Sequence, residues 1–279
     1  MTTKILKNIG VFPIRNHYYE PLFDDSMLRL PLEQTRHLPG VVLNEQAQLA
    51  FLSNLSSAGE LKELALWAPT TANNFFDINN SVFGPGDADF LYQFIRHTRP
   101  AKIIEIGSGQ STRIASLAMA MNALEGVSGN HVCIEPYEAS WLDSFKGITL
   151  VRTPVEQCEL DWATELSAGD LLFIDSSHMI RPQGDVLEEY LKIIPSLASG
   201  VYVHVHDIFT PRDYPSRWIK DHVFFWNEQY LLEALLSNQA RYQVIAGLNF
   251  LYHNHKEELQ RVCPYLGEIE PGSFYFMVK

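Results

Sequence analysis

AKIIEIGSGQST, residues 101–112, joins a short apolar run to residues that can begin a helix, through a turn that contains two glycines. Such a run is typical of a strand buried in a parallel sheet. Gly107 and Gly109 remove side chains where the backbone has to pass close to a ligand, and the helix that follows would offer free N–H groups there. The stretch therefore predicts a strand, a ligand-binding turn and a helix, without naming the ligand.

Strands and helices alternate after this turn. The predicted parallel strands are AKIIEIG, HVCIEP, ITLVRT, DLLFIDSS and GVYVHVHDIF. Helix-like stretches separate them, among them VEQCELDWATEL between the third and fourth strands. Five short strands that alternate with helices favour an α/β fold, in which helices cover both faces of a mostly parallel sheet. Two further runs, YQVIAGLNFLY and GSFYFMVK, are expected to pair antiparallel at the edge of the sheet.

The N-terminal third of the chain lacks this alternation. It contains a lead rich in proline and aromatic residues and two expected helices, NEQAQLAFLSNL and AGELKELALW. The leucines of the first helix recur at helical spacing, so one face is apolar and has to pack against another element. We therefore expect an N-terminal helical cap over residues 1–85 and an α/β domain over residues 86–279.

The composition restricts the partners of the protein. The 279 residues carry a formal net charge of −12, which argues against a nucleic-acid backbone as the main partner. The three cysteines form no CxxC pair and suit a reducing cytoplasm. No apolar run approaches the roughly 18 residues that a membrane span needs. We expect a cytoplasmic protein that binds neither nucleic acid nor membrane, and a homo-oligomer remains open.

Two acidic residues narrow the ligand of the glycine turn. A dinucleotide-binding turn would carry a third glycine where this sequence has Thr112. Glu105, two residues before Gly107, suits an amino-bearing ligand better than a pyrophosphate. Glu135, at the end of the second predicted strand, is placed to accept hydrogen bonds from a ribose diol. The pattern favours a nucleoside that carries an amino acid and a positive sulfur, and it disfavours an NAD-dependent oxidoreductase.

The segment IIEIGSGQST, with CIEP following it, resembles the S-adenosylmethionine site of class I methyltransferases. FIDSSHMIRPQGDV, VHVHDIFTPRDYP and WNEQYLLEALL are similar to a group of small-molecule enzymes known as methyltransferase domain 24. The resemblance implies a seven-stranded Rossmann-like sheet of order 3-2-1-4-5-7-6 with strand 7 antiparallel. The residues that it implies for the donor site are Glu105, Gly107, Ser108, Gly109, Ser111, Thr112, Glu135 and Asp175.

The ends of the fourth and fifth predicted strands carry the candidate catalytic residues: Asp175, His178, His206 and Asp207. Since adjacent parallel strands lie about 5 Å apart, Asp175 and Asp207 could converge on one cation. Metal-dependent O-methyltransferases use acidic or amide residues at these strand ends, so the resemblance implies that both aspartates are metal ligands and that His178 is the general base. Since His204 alternates with His206, we expect it to face the other side of the sheet and to be packed.

His206 departs from the pattern of those enzymes. Magnesium prefers oxygen ligands, whereas imidazole suits softer transition metals. Three alternatives therefore stay open. Mg²⁺ could bind the two aspartates alone, a softer metal could bind Asp175, His206 and Asp207, or His178 or His206 could act as a base without a metal.

Together these patterns predict a methyltransferase that uses S-adenosylmethionine to methylate a hydroxyl of a small molecule, in natural-product or saccharide modification. N-methylation without a metal and a non-catalytic nucleoside-binding module are the alternatives. Residues outside the shared sheet are expected to contact the acceptor: Tyr18 and Tyr19 in the cap, and Tyr214 and Trp218 in the loop after the fifth strand.

Overall fold

The structure, a computed structural model, describes residues 6, 9, 11, 13–14, 22, 24–64 and 76–279. It contains two compact units, one formed by Met1–Arg36 with Arg212–Phe225 and the other by His37–Pro211 with Trp226–Lys279. Tyr18 and Tyr19 lie outside the described residues. The predicted domain boundary after residue 85 stays a prediction.

The larger unit contains a seven-stranded sheet of order β3-β2-β1-β4-β5-β7-β6. Strands β1 to β5 pair in parallel, and β7 runs antiparallel to both β5 and β6. This topology confirms the predicted Rossmann-like fold class and its strand order. The strands are β1 (Lys102–Ile106), β2 (Asn130–Ile134), β3 (Thr149–Val151), β4 (Leu171–Ile174), β5 (Tyr202–Val205), β6 (Tyr242–Gly247) and β7 (Phe274–Val278).

No described helix is long and apolar enough to cross a membrane. The helices are α1 (Glu45–Asn54), α2 (Ala58–Glu63), α3 (Asp87–Thr98), α4 (Gln110–Leu124), α5 (Trp162–Glu165), α6 (185–196), α7 (Ser216–Lys220), α8 (Glu228–Leu236), α9 (Leu248–Asn254) and α10 (Lys256–Val262). Helix α6 is not uniform, because a π-helical turn over Glu189–Ile193 interrupts its α-helical turns.

Two predicted elements differ from the structure. The predicted helix VEQCELDWATEL is reduced to a 3₁₀ turn over Val155–Gln157 and the four residues of α5. The run YQVIAGLNFLY is a strand only as far as Gly247, after which it becomes α9, with Leu248, Leu251 and Tyr252 buried at helical spacing. A short apolar run does not by itself distinguish a strand from a buried helix, which explains the second error.

Side chains that alternate along β1 build the two apolar layers of the core. Ile103 belongs to one cluster with Phe94 of α3 and Ile114 of α4. Ile104 and Ile106 belong to the other cluster, which includes residues of α6 and α8. Apolar layers cover both faces of the sheet. In open α/β sheets of this kind, ligands bind beyond the carboxyl ends of the strands.

The smaller unit contains the loop that follows β5. The Arg36 side chain contacts the Asp213 carboxylate at 3.2 Å and donates to the backbone oxygen of Arg212 at 2.9 Å. Tyr214 is buried, and the Trp218 ring lies edge-on to Phe224 with 6.4 Å between their centroids. The predicted acceptor contacts of Tyr214 and Trp218 stay predictions.

Candidate functional site

The glycine turn after β1 is built against the end of β4. Gly107 has a φ of +78°, and a Cβ at this position would lie 1.8 Å from the backbone oxygen of Asp175. Only glycine fits such a site. At Gly109, by contrast, a Cβ would meet no protein atom within 4 Å. The turn is therefore closed on the Asp175 side and open at Gly109.

The carboxylate of Glu105 lies beneath this turn. Its Oε1 accepts a hydrogen bond from the Ser111 hydroxyl at 2.6 Å, and its Oε2 accepts one from Thr112 at 2.8 Å and contacts His131 Nε2 at 2.9 Å. Thr112 Oγ1 in turn accepts the Gly109 N–H at 3.1 Å. Glu105 thus ties the first turn of α4 to the glycine turn.

Glu105 supports the glycine turn in this structure. The residue is 1% exposed, and both of its oxygens are engaged by protein groups, among them the hydroxyls of Ser111 and Thr112. The reason is strand alternation, because Glu105 faces the same side of β1 as Ile103, toward α3 and α4. A direct contact of Glu105, Ser111 or Thr112 with the methyl donor stays a prediction.

His131 completes the support and was missed from the sequence. Since Glu105 pairs with Cys133 across β1 and β2, and His131 is two residues before Cys133, all three side chains share one face of the sheet. These three residues offer donor atoms within 4.8 Å of one another. Burial first, and then the charge of Glu105, raise the pKa of the Cys133 thiol. A thiol kept protonated is a poor metal ligand, so we interpret this group as a hydrogen-bonded support.

Ser108 lies in the glycine turn, and Glu135 follows the neighbouring strand β2. The Ser108 side chain is 6% exposed, and its hydroxyl has no hydrogen-bond partner among the residues that the structure describes. Glu135 follows β2, and its Oε1 accepts the backbone N–H groups of Tyr137 at 2.8 Å and Glu138 at 2.7 Å. The loop after β2 therefore fixes the carboxylate that the sequence predicts for a ribose, and that role stays a prediction.

The ends of β4 and β5 converge on one imidazole. His178 Nε2 lies 3.3 Å from Asp175 Oδ1 and 3.4 Å from Asp207 Oδ2, and its Nδ1 lies 2.8 Å from Glu228 Oε2. His178 is 6% exposed. We call Asp175, His178, Asp207 and Glu228 the carboxylate–imidazole cluster. The convergence of the two aspartates agrees with the expectation from adjacent strands.

The backbone around His178 is held in an unusual conformation. Its φ is +57°, and its carbonyl oxygen accepts N–H groups from Asn227 at 3.0 Å and Glu228 at 3.2 Å. The Trp226 ring packs on the imidazole with 4.4 Å between centroids. A left-handed conformation at a residue other than glycine persists only where the surroundings enforce it. The segment that begins α8 supplies that constraint.

Burial and the neighbouring charges shift the pKa values of His178 and Asp175 in opposite directions. Burial lowers the pKa of His178, but the carboxylates of Asp175, Glu228 and Asp207 outweigh it and raise that pKa well above its usual value. Burial raises the pKa of Asp175, but the charges of His206 and His178 outweigh it and lower that pKa. The surrounding carboxylates therefore favour the protonated form of His178, in which both ring nitrogens are hydrogen-bond donors.

His206 lies beside the cluster. Among the described residues, the metal-binding atoms of this cluster that lie within 4.8 Å of one another are those of Asp175, His178 and Asp207, and the role of His206 as a metal ligand stays a prediction. His206 Nε2 is 3.4 Å from Asp207 Oδ1. Its Nδ1 is buried without a hydrogen-bond partner in the described part of the chain.

His204 is packed, as predicted, but on the same face as His206. Its ring is fully buried, stacks on Phe173 at 4.0 Å and lies 6.0 Å from the His206 ring. The prediction that the two histidines face opposite sides was wrong, because residues two apart in a strand share a face. Burial and the neighbouring His206 lower the pKa of His204 well below its usual value, which keeps it neutral.

The chain is similar in sequence to a known protein family and to one further protein. Residues 104–208 match the family described as "Methyltransferase domain", which confirms the resemblance to class I methyltransferases. A protein of Archaeoglobus fulgidus, named only as uncharacterized, is 27% identical over 165 residues, covering 54% of this chain and 72% of that protein.

Two solved structures are also similar to the chain. The O-methyltransferase TomG from Streptomyces achromogenes, involved in tomaymycin synthesis and solved with S-adenosylmethionine, is 16% identical with a TM-score of 0.42, over 82% of this chain and 89% of that one. An O-methyltransferase from Bacillus cereus, solved with S-adenosylhomocysteine, is 13% identical with a TM-score of 0.41, over 81% of this chain and 91% of that one.

Proposed function

We propose, from the match of residues 104–208 to a methyltransferase-domain family, that this protein transfers a methyl group from S-adenosylmethionine to a hydroxyl of a small molecule. One contact carries the proposal. The backbone of Asp175 packs against Gly107 of the glycine turn, while its carboxylate belongs to the carboxylate–imidazole cluster. Groups suited to a donor and groups suited to activating an acceptor therefore meet at one residue.

The backbone of the glycine turn and the position of Glu135 support S-adenosylmethionine as the ligand of the turn. The glycine turn leads into α4, whose first N–H groups favour a polar ligand, and the turn is open at Gly109. Glu135 offers a carboxylate at the end of β2 for the ribose hydroxyls. Glu105, Ser111 and Thr112 hold the turn in place from beneath.

The acceptor side is supported by the charges at the ends of β4 and β5. Methyl transfer requires that the acceptor be aligned with the S–CH₃ bond and, for a hydroxyl, that its proton be removed or weakened. Two carboxylates that lie within 3.4 Å of the His178 imidazole offer groups for that chemistry. An amine acceptor would need less of it, so the cluster favours O-methylation over N-methylation.

The donor atoms of the cluster fit a divalent cation. Asp175, His178 and Asp207 would hold it, and Glu228 would fix the imidazole from behind, as carboxylates commonly do for metal-binding histidines. Such a cation would act as a Lewis acid that lowers the pKa of an acceptor hydroxyl. The imidazole favours Mn²⁺, Fe²⁺ or Zn²⁺ over Mg²⁺, which prefers oxygen ligands alone.

The proposal also covers the acceptor class, the partners and the cellular compartment. We propose a natural product or a saccharide as the acceptor class, with Tyr214 and Trp218 as contacts in the loop after β5. The net charge of −12 supports a small-molecule partner over a nucleic acid or an anionic membrane surface. The three free cysteines support a reducing cytoplasm.

Calorimetry tests the donor and the cation separately. S-adenosylhomocysteine is expected to bind and NAD is not, and failure of S-adenosylhomocysteine to bind would remove the main proposal. Mn²⁺ added to chelator-treated protein is expected to bind once per chain, and to bind weakly or not at all to Asp207→Ala. If Mn²⁺ binds both proteins equally, the cation is not at the cluster, while the methyltransferase proposal survives.

A further inference from the structure

A groove beside α4 lies outside both the glycine turn and the carboxylate–imidazole cluster. Its volume is about 370 Å³, which is within the range of small-molecule sites. One wall is a face of α4, and the opposite wall is the segment 145–147. Gly129 and Gly147 line the groove just before β2 and β3, so it reaches the amino ends of these strands. The glycine turn follows the carboxyl end of β1, at the opposite edge of the parallel strands.

A short connection and small side chains leave this space open. Between β2 and β3, where every residue is described, the chain forms only a 3₁₀ turn over Ser140–Ser144 and no α-helix. The α4 wall carries Ser116, Ala120 and Ala123 at helical spacing, and their small side chains fill little of the groove. A large side chain at Ala120 would therefore occupy it.

The walls of the groove combine apolar surface with positive charge. Leu117 and Phe145 supply apolar surface, and the cationic side chains of Arg113 and Lys146 line the same space. No described acidic side chain lines it, although the whole chain has 33 acidic residues against 21 lysines and arginines. Stacking holds the Arg113 guanidinium in place, since its Cζ lies 3.7 Å from the centroid of the Trp141 ring. An anionic molecule with an apolar body complements these walls.

The groove also has a polar floor that the protein holds in position. His131 is 2% exposed and lines the groove, and its Nε2 lies 2.9 Å from Glu105 Oε2. Its Nδ1 lies 3.3 Å from the hydroxyl of Ser116, which is half-buried at the α4 wall. A serine hydroxyl can rotate to donate to a ligand, so Ser116 adds a hydrogen-bond donor beside the two cations.

We propose that this groove is a second binding site, for a small molecule that has a flat apolar body and one carboxylate. The apolar body lies against Leu117 and Phe145, and the carboxylate contacts Lys146 and Arg113. The inference goes beyond the methyltransferase reaction and does not depend on it, because no residue of the groove is assigned to the donor, the acceptor or the cation.

Calorimetry with cinnamate, an aromatic carboxylate, tests the site, and cinnamamide, its neutral counterpart, tests the charge. Cinnamate should bind once per chain, and cinnamamide about tenfold more weakly or less. Lys146→Glu should weaken cinnamate binding about tenfold or more, because it replaces attraction by repulsion at an exposed position. Lys62→Glu is the matched control and should bind like the wild type, because Lys62 is exposed, lies outside the groove and changes the net charge equally.

A second pair of variants tests the shape of the groove. Ala120→Trp should abolish cinnamate binding, because it fills the groove from an exposed position on α4. Leu124→Trp is its control and should bind like the wild type, because Leu124 is on the same helix, 81% exposed and outside the groove. Thermal melting checks that each variant is folded.

Saturating S-adenosylhomocysteine separates the groove from the glycine turn, and cinnamate should bind equally well in its presence. Four results would each overturn the proposal: no binding of cinnamate, equal binding of cinnamamide, competition by S-adenosylhomocysteine, or equal affinity of Lys146→Glu and Lys62→Glu. Failure of S-adenosylhomocysteine itself to bind bears only on the proposed function, because the variants locate cinnamate without it.

Discussion

The two glycines of the turn should respond oppositely to one added methyl group. In Gly107→Ala the new Cβ would lie 1.8 Å from the Asp175 oxygen at a φ of +78°. The left-handed conformation costs alanine about 1–2 kcal/mol, and the backbone shift that relieves the clash costs a further 1–3 kcal/mol or so. We therefore expect the free energy of unfolding to fall by roughly 2–5 kcal/mol, which for a chain of this size lowers Tm by at least about 4 °C.

Gly109→Ala is the matched control, because its Cβ would meet no protein atom within 4 Å. Its unfolding free energy should stay within about 1 kcal/mol of the wild type. Since the methyl group would project where we place the donor, affinity for S-adenosylhomocysteine should drop about tenfold or more. Thermal melting and calorimetry measure the two effects. Equal stability of Gly107→Ala and the wild type would refute the packing argument, and unchanged affinity of Gly109→Ala would refute the placement of the donor.

Three further predictions concern the buried polar groups. Glu105→Gln should lower the unfolding free energy by about 1–3 kcal/mol in denaturant titrations, since it disturbs the bonds to Thr112 and His131; a smaller change would show that the network is not a support. The folded pKa of His178 is raised, so in metal-free protein its stabilisation is fully present below about pH 6.5 and is lost as pH rises through the folded pKa. Melting temperatures should therefore fall with rising pH in the wild type more than in His178→Gln, and equal slopes would contradict the assignment. Glu228→Ala should weaken Mn²⁺ binding about 10–100-fold in calorimetry, and retained affinity would mean that His178 needs no support.

The fold class could be predicted because its determinants are local. The run before Gly107, the alternation of strands with helices and the two apolar runs near the C-terminus predict a mostly parallel sheet with an antiparallel edge, whereas the strand order came from the family resemblance. The error after Gly247 has a physical cause, because burial on all sides removes the periodicity that separates strand from helix.

Only those residues of the candidate site that directly follow a strand could be predicted from sheet geometry. Asp175 and Asp207 follow adjacent strands, so their convergence follows from sheet geometry. His178 reaches the same point by a left-handed backbone turn that no spacing rule anticipates. Glu228 comes from a helix that looks like a core helix in sequence, and only tertiary packing places its carboxylate behind His178. An acidic residue at a buried helix start is the sequence signal that could have found Glu228.

Asp175 belongs both to the contact with the glycine turn and to the carboxylate–imidazole cluster. Its carbonyl group limits how far the glycine turn can move toward β4, while its side chain is one wall of the carboxylate–imidazole cluster. Two ligands whose binding both depends on the position of one residue are thermodynamically linked, and such linkage is reciprocal. The affinity for a nucleoside at the turn and the affinity for a cation at the cluster should therefore change by the same factor when the other is bound.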